Sequence, residues 1–167
     1  MSEPATSGVV VGIVVGSRSD MAAAERAAAV LDELSVGSEI RVISAHRAPE
    51  LLTRFAATAE ARGIRVFIAM AGLAAHLPGV LAAQTTLPVV GVPMPGGVSD
   101  GLDALLSVVQ MPKGVPVATV GVGNAENAAL LAAQILSLSD PGLRERFAAR
   151  RAAGARAIEE DPANTGL

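Results

Sequence analysis

The chain has 167 residues, which at the usual ~150 residues per domain makes one domain, with enough length to bury a core unaided by staples. Hydrophobic residues make up 51% and charged residues 17%, against about 25% charged in an average globular chain, which excludes intrinsic disorder and a coiled coil. There is no Cys, Tyr or Trp and the formal net charge is -3. That excludes disulfides, zinc–thiolate and iron–sulfur sites and a thiol nucleophile, and it disfavours flavin stacking and nucleic-acid binding.

Met1 to Ser7 is polar and has no basic region, so no secretory signal is expected there. The longest uncharged stretch, Val66 to Ser99, contains Pro78, Pro88, Pro93 and Pro95, which a membrane-spanning helix would not carry. The expected location is the cytoplasm, with no membrane partner. So little charge on a small domain also points to a homo-oligomer that hides apolar surface in its interfaces.

In chain order, Val9 to Val15 is almost continuously branched and reads as a strand buried on both faces. Ser19-Asp20 caps a helix running to about Leu34, and Glu39 to Ile43 is a second strand. Pro49 suits the first turn of a helix that ends before Gly63. Arg65 to Met70 is a third strand, His76 to Gln84 a short helix, and Pro88 to Val92 a fourth strand. A Gly/Pro-rich loop, Pro93 to Gly97, leads to a helix over Gly101 to Val109. Val115 to Val120 is a fifth strand, and Asn124 caps a helix to about Leu138. Asp140-Pro141 opens a last helix to about Glu160, and the tail from Asp161 frays. The core therefore spans about residues 9–138, with an extra C-terminal helix over about 141–160.

Alternating strands and helices imply a parallel sheet with helices on both faces. The expected fold is α/β and flavodoxin-like, a three-layer sandwich with strand order 2-1-3-4-5. Strand 1 then lies between strands 2 and 3, and the loops after all three converge at their carboxyl ends, where such sheets bind ligands.

The first of these loops is Gly16-Ser17-Arg18-Ser19-Asp20. Small residues entering a helix N-terminus suit a phosphate, and Asp20 could accept from ribose hydroxyls. An ordinary helix cap with a surface Arg uses the same residues. No P-loop or Rossmann glycine spacing occurs. The second loop is Ser44-Ala45-His46-Arg47-Ala48-Pro49. His46 could move a proton near neutral pH and Arg47 could grip a phosphate bidentately, or His46 could simply close a strand end. The third runs from Ala71 through Gly72, Leu73, Ala74, Ala75, His76, Leu77 and Pro78 to Gly79. Small residues let the backbone approach a ligand closely, or allow tight packing with His76 as a cap. The chain has only two His, and the topology brings both loops together. Two His on separate strands make a poor metal site. Ala69-Met70-Ala71 lacks the acidic residue of a phosphoacceptor domain, and no Gly-x-Ser-x-Gly is present.

Taken together, Gly16-Ser17-x-Ser19-Asp20, Ser44-Ala45-His46-Arg47-x-Pro49 and Ala74-Ala75-His76-Leu77-Pro78-Gly79 resemble the N5-carboxyaminoimidazole ribonucleotide mutase family. This is the catalytic-subunit type of phosphoribosylaminoimidazole carboxylase in purine synthesis. The resemblance continues through Thr85 to Val89, Gly91 to Pro93, Gly101 to Pro112, Gly114 to Val120 and Asn127 to Leu136, and so spans about residues 9–138. It implies a flavodoxin-like subunit of a homo-octamer without metal or organic cofactor, acting on a ribonucleotide and carbon dioxide. It assigns Ser17, Ser19 and Arg47 to the ribonucleotide phosphate and Asp20 to the ribose. His46 would be the general acid/base, with Ser44, the Gly72-Leu73 backbone and His76 around the imidazole and the migrating carboxyl group. Ala74, Ala75 and Leu77 would form apolar walls.

The chain departs from that pattern at Arg18, at Met21, at Leu73 where the family has Gly, and over Met94 to Ser99. Met21 resembles the class II branch, which carboxylates aminoimidazole ribonucleotide with free carbon dioxide. Arg47 and the intact Ala75-His76-Leu77-Pro78-Gly79 run resemble the mutase branch. A paralogue acting on a related ribonucleotide and a nucleotide-binding regulatory module remain as alternatives.

Overall fold

The computed structural model describes residues 8–164. The reading of Met1 to Ser7 as free of a leader, and residues 165–167 of the tail, lie outside the described residues. Among the described residues, eleven α-helices and strands follow the expected order. Val9–Val15 is β1, Met21–Glu33 α1, Gly37–Val42 β2 and Pro49–Ala59 α2. Val66–Ala71 is β3, Leu77–Ala82 α3, Val89–Pro93 β4 and Leu102–Val109 α4. Ala118–Thr119 is β5, Ala125–Leu136 α5 and Pro141–Glu159 α6. The strands form one parallel sheet in the order β2-β1-β3-β4-β5.

Alternation along the central strands sends side chains to two cores, as a period of two requires. Val66, Ile68 and Met70 of β3 join the core under α1 and α5. Phe67, Ala69 and Ala71 join the core on the other face, with Leu52 and Phe55 of α2, Leu77 and Leu81 of α3, and Ala104 and Val108 of α4. Ala23, Ala24 and Ala27 of α1 and Ala125, Ala128, Ala129, Ala132 and Ala133 of α5 are all buried. Those small faces let the two helices pack closely, so this core needs almost no aromatic volume. Asn124 and Asp140 cap as expected, accepting from the N–H groups of Asn127 at 3.1 Å and Leu143 at 2.9 Å.

Several expectations are corrected. The fifth strand is two residues rather than Val115 to Val120. It is the sheet edge, and Pro116 has no N–H to donate to the ladder, so pairing is confined to Val90 with Ala118 and Gly91 with Thr119. β2 starts earlier and ends earlier than Glu39 to Ile43. β1 is buried from Val11 onward, whereas Val9 is exposed because the strand starts at the rim of the sheet. The first loop enters α1 through a single 3-10 turn, Arg18–Asp20, and Asp20 makes no side-chain cap bond. Asp161 does not open a frayed tail within the described residues, since Pro162–Asn164 form one more turn that Asn164 ties to the carbonyl of Ile158 at 2.6 Å.

The uncharged stretch Val66 to Ser99 contains two interior strands. β3 and β4 are buried along their whole lengths, so most of its apolar character serves the interior. Leu73 and Val98 of the stretch are exposed, and further exposed apolar residues follow it at Leu102, Leu106 and Val109. Leu102, Leu106 and Val109 lie at helical spacing along one face of α4.

Candidate active site

The carboxyl ends of β1, β2 and β3 open onto one cavity of about 530 Å³. Ser17, Ser19, Asp20, Ser44, His46, Arg47, Gly72, Leu73 and His76 all line it, as do Ala75 and Leu77. Ala74, expected in the apolar wall, is exposed and does not line it. Arg18 is also absent from the lining.

The first loop presents hydroxyls and a carboxylate. Ser17 Oγ accepts from the Ser19 N–H at 3.4 Å, and the Ser19 hydroxyl donates to Asp20 Oδ1 at 3.2 Å. Burial pushes the Asp20 carboxyl above the usual carboxylate range, and the Ser19 hydroxyl works against that shift. Asp20 is thus a partly desolvated acceptor with unused capacity facing the cavity.

In the second loop, Ser44 organises Arg47. Its hydroxyl oxygen accepts from the Arg47 backbone N–H at 3.2 Å and from Arg47 Nε at 3.3 Å. Arg47 Nη2 also donates to the Gly16 carbonyl at 3.3 Å. The guanidinium is therefore held beside the first loop. Among the described residues Arg47 makes no ion pair, whereas Arg41 and Arg62 are taken up by Glu39 at the far side of the sheet edge. Burial disfavours the Glu39 charge, yet hydrogen bonds from Arg62 and Arg41 hold its carboxyl below the usual range.

The two His meet. His46 Nε2 lies 2.7 Å from His76 Nδ1, with the rings nearly perpendicular at 85°. Neither ring acts as a helix cap: His76 stands at the start of α3 without a side-chain cap bond. In that hydrogen bond one ring must donate and the other accept. While both rings are neutral, either tautomer leaves one outward nitrogen as a base and the other as an N–H donor. The pair therefore offers one hydrogen-bond donor and one acceptor at once.

The third loop turns tightly, with the Ala75 N–H donating to the Gly72 carbonyl at 3.0 Å. Leu73 and Ala75 both have positive φ, 56° and 28°. Sequence reasoning missed Pro95, which also lines the cavity. The signal was available: β4 neighbours β3, so its carboxyl end must run beside the third loop. The Met94 N–H fixes that course by donating to the Ala71 carbonyl at 2.8 Å. Among the described residues, no group of three His, Asp or Glu side chains is placed to hold a metal ion, and no helix is long and apolar enough to cross a membrane.

Residues 10–157 match the family described as AIR carboxylase. The chain belongs to this family. It is 58% identical over 137 residues to the N5-carboxyaminoimidazole ribonucleotide mutase of Pyrococcus abyssi, covering 82% of this chain and 79% of that protein. It is 54% identical over 134 residues to the phosphoribosylaminoimidazole carboxylase of Schizosaccharomyces pombe, covering 80% of this chain but 24% of that longer protein. The crystal structure of Treponema denticola PurE superposes with a TM-score of 0.86 at 31% identity, covering 95% of this chain and 99% of that one. The AIR carboxylase match includes all three loops of the cavity.

Proposed function

We propose that this chain is a cytoplasmic N5-carboxyaminoimidazole ribonucleotide mutase of purine biosynthesis, acting as a single domain within a homo-octamer. The observation that carries this reading is the hydrogen-bonded His46–His76 pair, set in one cavity with the phosphate-type first loop and apolar Ala75 and Leu77. Ser17, Ser19 and Arg47 take the ribonucleotide phosphate. Asp20 accepts from the ribose hydroxyls, whose donation relieves the desolvation of its carboxylate. Ser44, the Gly72-Leu73 backbone and His76 surround the base and its carboxyl group.

The substrate is a carbamate, and its rearrangement balances with one proton donor and one acceptor. The nitrogen–carbon bond breaks, its electron pair stays on nitrogen, and an imidazolium supplies the proton there. Carbon dioxide is released within the cavity. Carbon 4 of the five-membered ring then forms a bond to it, and the ring proton passes to the imidazole, restoring the acid. Holding both fragments in one cavity replaces a bimolecular recombination with a positioned one.

The test is turnover of the carbamate in the presence of labelled bicarbonate. The mutase forms the carbon-carboxylated product while taking up label slowly compared with turnover. Full incorporation, with no need for the carbamate, would assign the chain to free-carbon-dioxide carboxylase chemistry instead. Binding of a ribonucleotide with no turnover of either substrate would favour a specialised paralogue or a regulatory module.

The exposed apolar face of α4 supports assembly, since Leu102, Leu106 and Val109 would otherwise stay in water. Sedimentation is expected to give a closed assembly of eight subunits. A monomer at micromolar concentration would contradict it.

A further inference from the structure

Arg18 stands in the chain between Ser17 and Ser19, the two hydroxyls assigned to the phosphate, yet it does not line the cavity. Its side chain is exposed and, among the described residues, makes no ion pair. What it contributes to the local fold is main chain: the Arg18 carbonyl accepts from the Met21 N–H and closes the turn Arg18–Asp20. Charge is what the cavity lacks. Its ionised lining side chains are Asp20 and Arg47, whose formal charges cancel while both imidazoles are neutral. The whole chain carries -3. A ribonucleotide phosphate brings about two negative charges near neutral pH, and a carboxyl group adds another. Arg47 is tied to Ser44 Oγ and the Gly16 carbonyl, so its grip operates at contact range. An anion arriving from solvent therefore meets a negative chain and an electrically balanced cavity, with Arg18 as the uncompensated cation of the first loop.

We infer that Arg18 is a steering residue: its charge speeds capture of the anionic ribonucleotide through solvent, and its side chain makes no contact with the ligand once bound. The inference rests on the reading above for the ribonucleotide as ligand. Steering depends on where a charge sits rather than on where a side chain points, and the sequence fixes the first closely. Neighbouring Cα atoms are about 3.8 Å apart, which puts the guanidinium on the order of 10 Å from both hydroxyls. That is within the Debye length of about 30 Å at 0.01 M salt and beyond the ~3 Å at 1 M. Across ~10 Å of water one positive charge favours a dianion by a factor of about four, which screening at 0.01 M trims to about three. A charge of this kind acts on the association rate and its salt dependence, whereas a contact such as that of Arg47 acts on dissociation.

The experiment is stopped-flow binding of the carbon-carboxylated ribonucleotide at 0.01 M and 1 M salt (about 30 Å and 3 Å of screening length). The signal comes from an uncharged environment-sensitive dye on Ala74→Cys, an exposed position outside the cavity lining that becomes the sole thiol of a chain without Cys. Arg18→Ala is expected to lower the association rate about threefold at low salt, and Arg18→Glu about tenfold because the charge changes by two. Arg18→Lys is expected to match the unaltered chain, since steering needs the charge and not the fork. Dissociation rates stay level throughout, and at high salt all four proteins associate alike. The fold is checked by circular dichroism melts and holds because the links made by Arg18 are main-chain ones. Association unchanged in Arg18→Glu at low salt overturns the inference and leaves the mutase reading standing. So does a loss that persists at 1 M salt, appears in dissociation, or is not recovered by Lys, each of which marks a direct contact. An unaltered chain that binds no ribonucleotide in titration calorimetry overturns both.

Discussion

His46→Asn is expected to lower the rate of product formation by about 100-fold or more, the usual span of general acid/base catalysis, while the protein still binds ribonucleotide. The fold is insensitive to this change because His46 is exposed and its ring bonds only to another exposed ring, that of His76. Asn keeps a polar side chain but is too short to replace Nε2 opposite His76 Nδ1, and it cannot take up and return a proton. His76→Asn is expected to cost less, because the remaining His46 keeps a titratable ring in the cavity and loses only the partner that orients it. Steady-state rates of the two variants, with ribonucleotide affinity measured separately, check this ordering. Equal rates for His46→Asn and the unaltered chain would remove the imidazole from the chemistry. A larger loss in His76→Asn would reverse the two assignments.

The arrangement behind that prediction was legible in the sequence to an unequal degree. The strand order follows from alternating apolar runs and Ala-rich helical stretches, because parallel strands need crossover helices and right-handed crossovers leave few topologies. Once the order 2-1-3-4-5 is fixed, the loops after β1, β2 and β3 must share one end of the sheet, and all nine expected site residues line one cavity there. What sequence patterning could not supply is how the loops turn. The direct bond between the His rings depends on the turn from Gly72 to Ala75, which places His76 opposite His46. No spacing rule predicts a left-handed Leu, since propensity alone argues against it.

Where the reading of individual elements went astray, tertiary context decided. Val115 to Val120 has the composition of a buried strand, but Pro116 on the sheet edge leaves only Ala118–Thr119 in the ladder. Asp20 has the residue type of a cap, yet its carboxylate turns to the cavity and to Ser19. The interior of the sheet accounts for most of the uncharged stretch from Val66 to Ser99. Exposed apolar side chains also line α4, where charged neighbours such as Asp103 conceal them in a composition count.

Arg47→Ala is expected to raise the dissociation constant for the ribonucleotide by about tenfold or more, corresponding to the roughly 1.5–3 kcal/mol of a charged hydrogen bond. Two features of the structure set that magnitude. The guanidinium makes no ion pair with a carboxylate among the described residues, so its charge is available to a phosphate. It is also held in place beforehand by Ser44 Oγ and the Gly16 carbonyl, each accepting at 3.3 Å, so little side-chain freedom remains to be lost when the phosphate arrives. Arg47→Lys is expected to recover only part of the affinity. An ammonium keeps the charge but cannot reach Gly16 and Ser44 while also presenting a planar fork to the phosphate. Ser44→Ala isolates the contribution of that alignment: it removes the acceptor for both the Arg47 backbone N–H and Nε, leaves the charge intact, and is expected to weaken binding less than Arg47→Ala does. Isothermal titration with the ribonucleotide at fixed ionic strength reads all three variants. Affinity unchanged in Arg47→Ala would place the phosphate elsewhere along the first loop. Equal losses in Arg47→Lys and Arg47→Ala would show that the fork geometry, rather than the positive charge, holds the ligand.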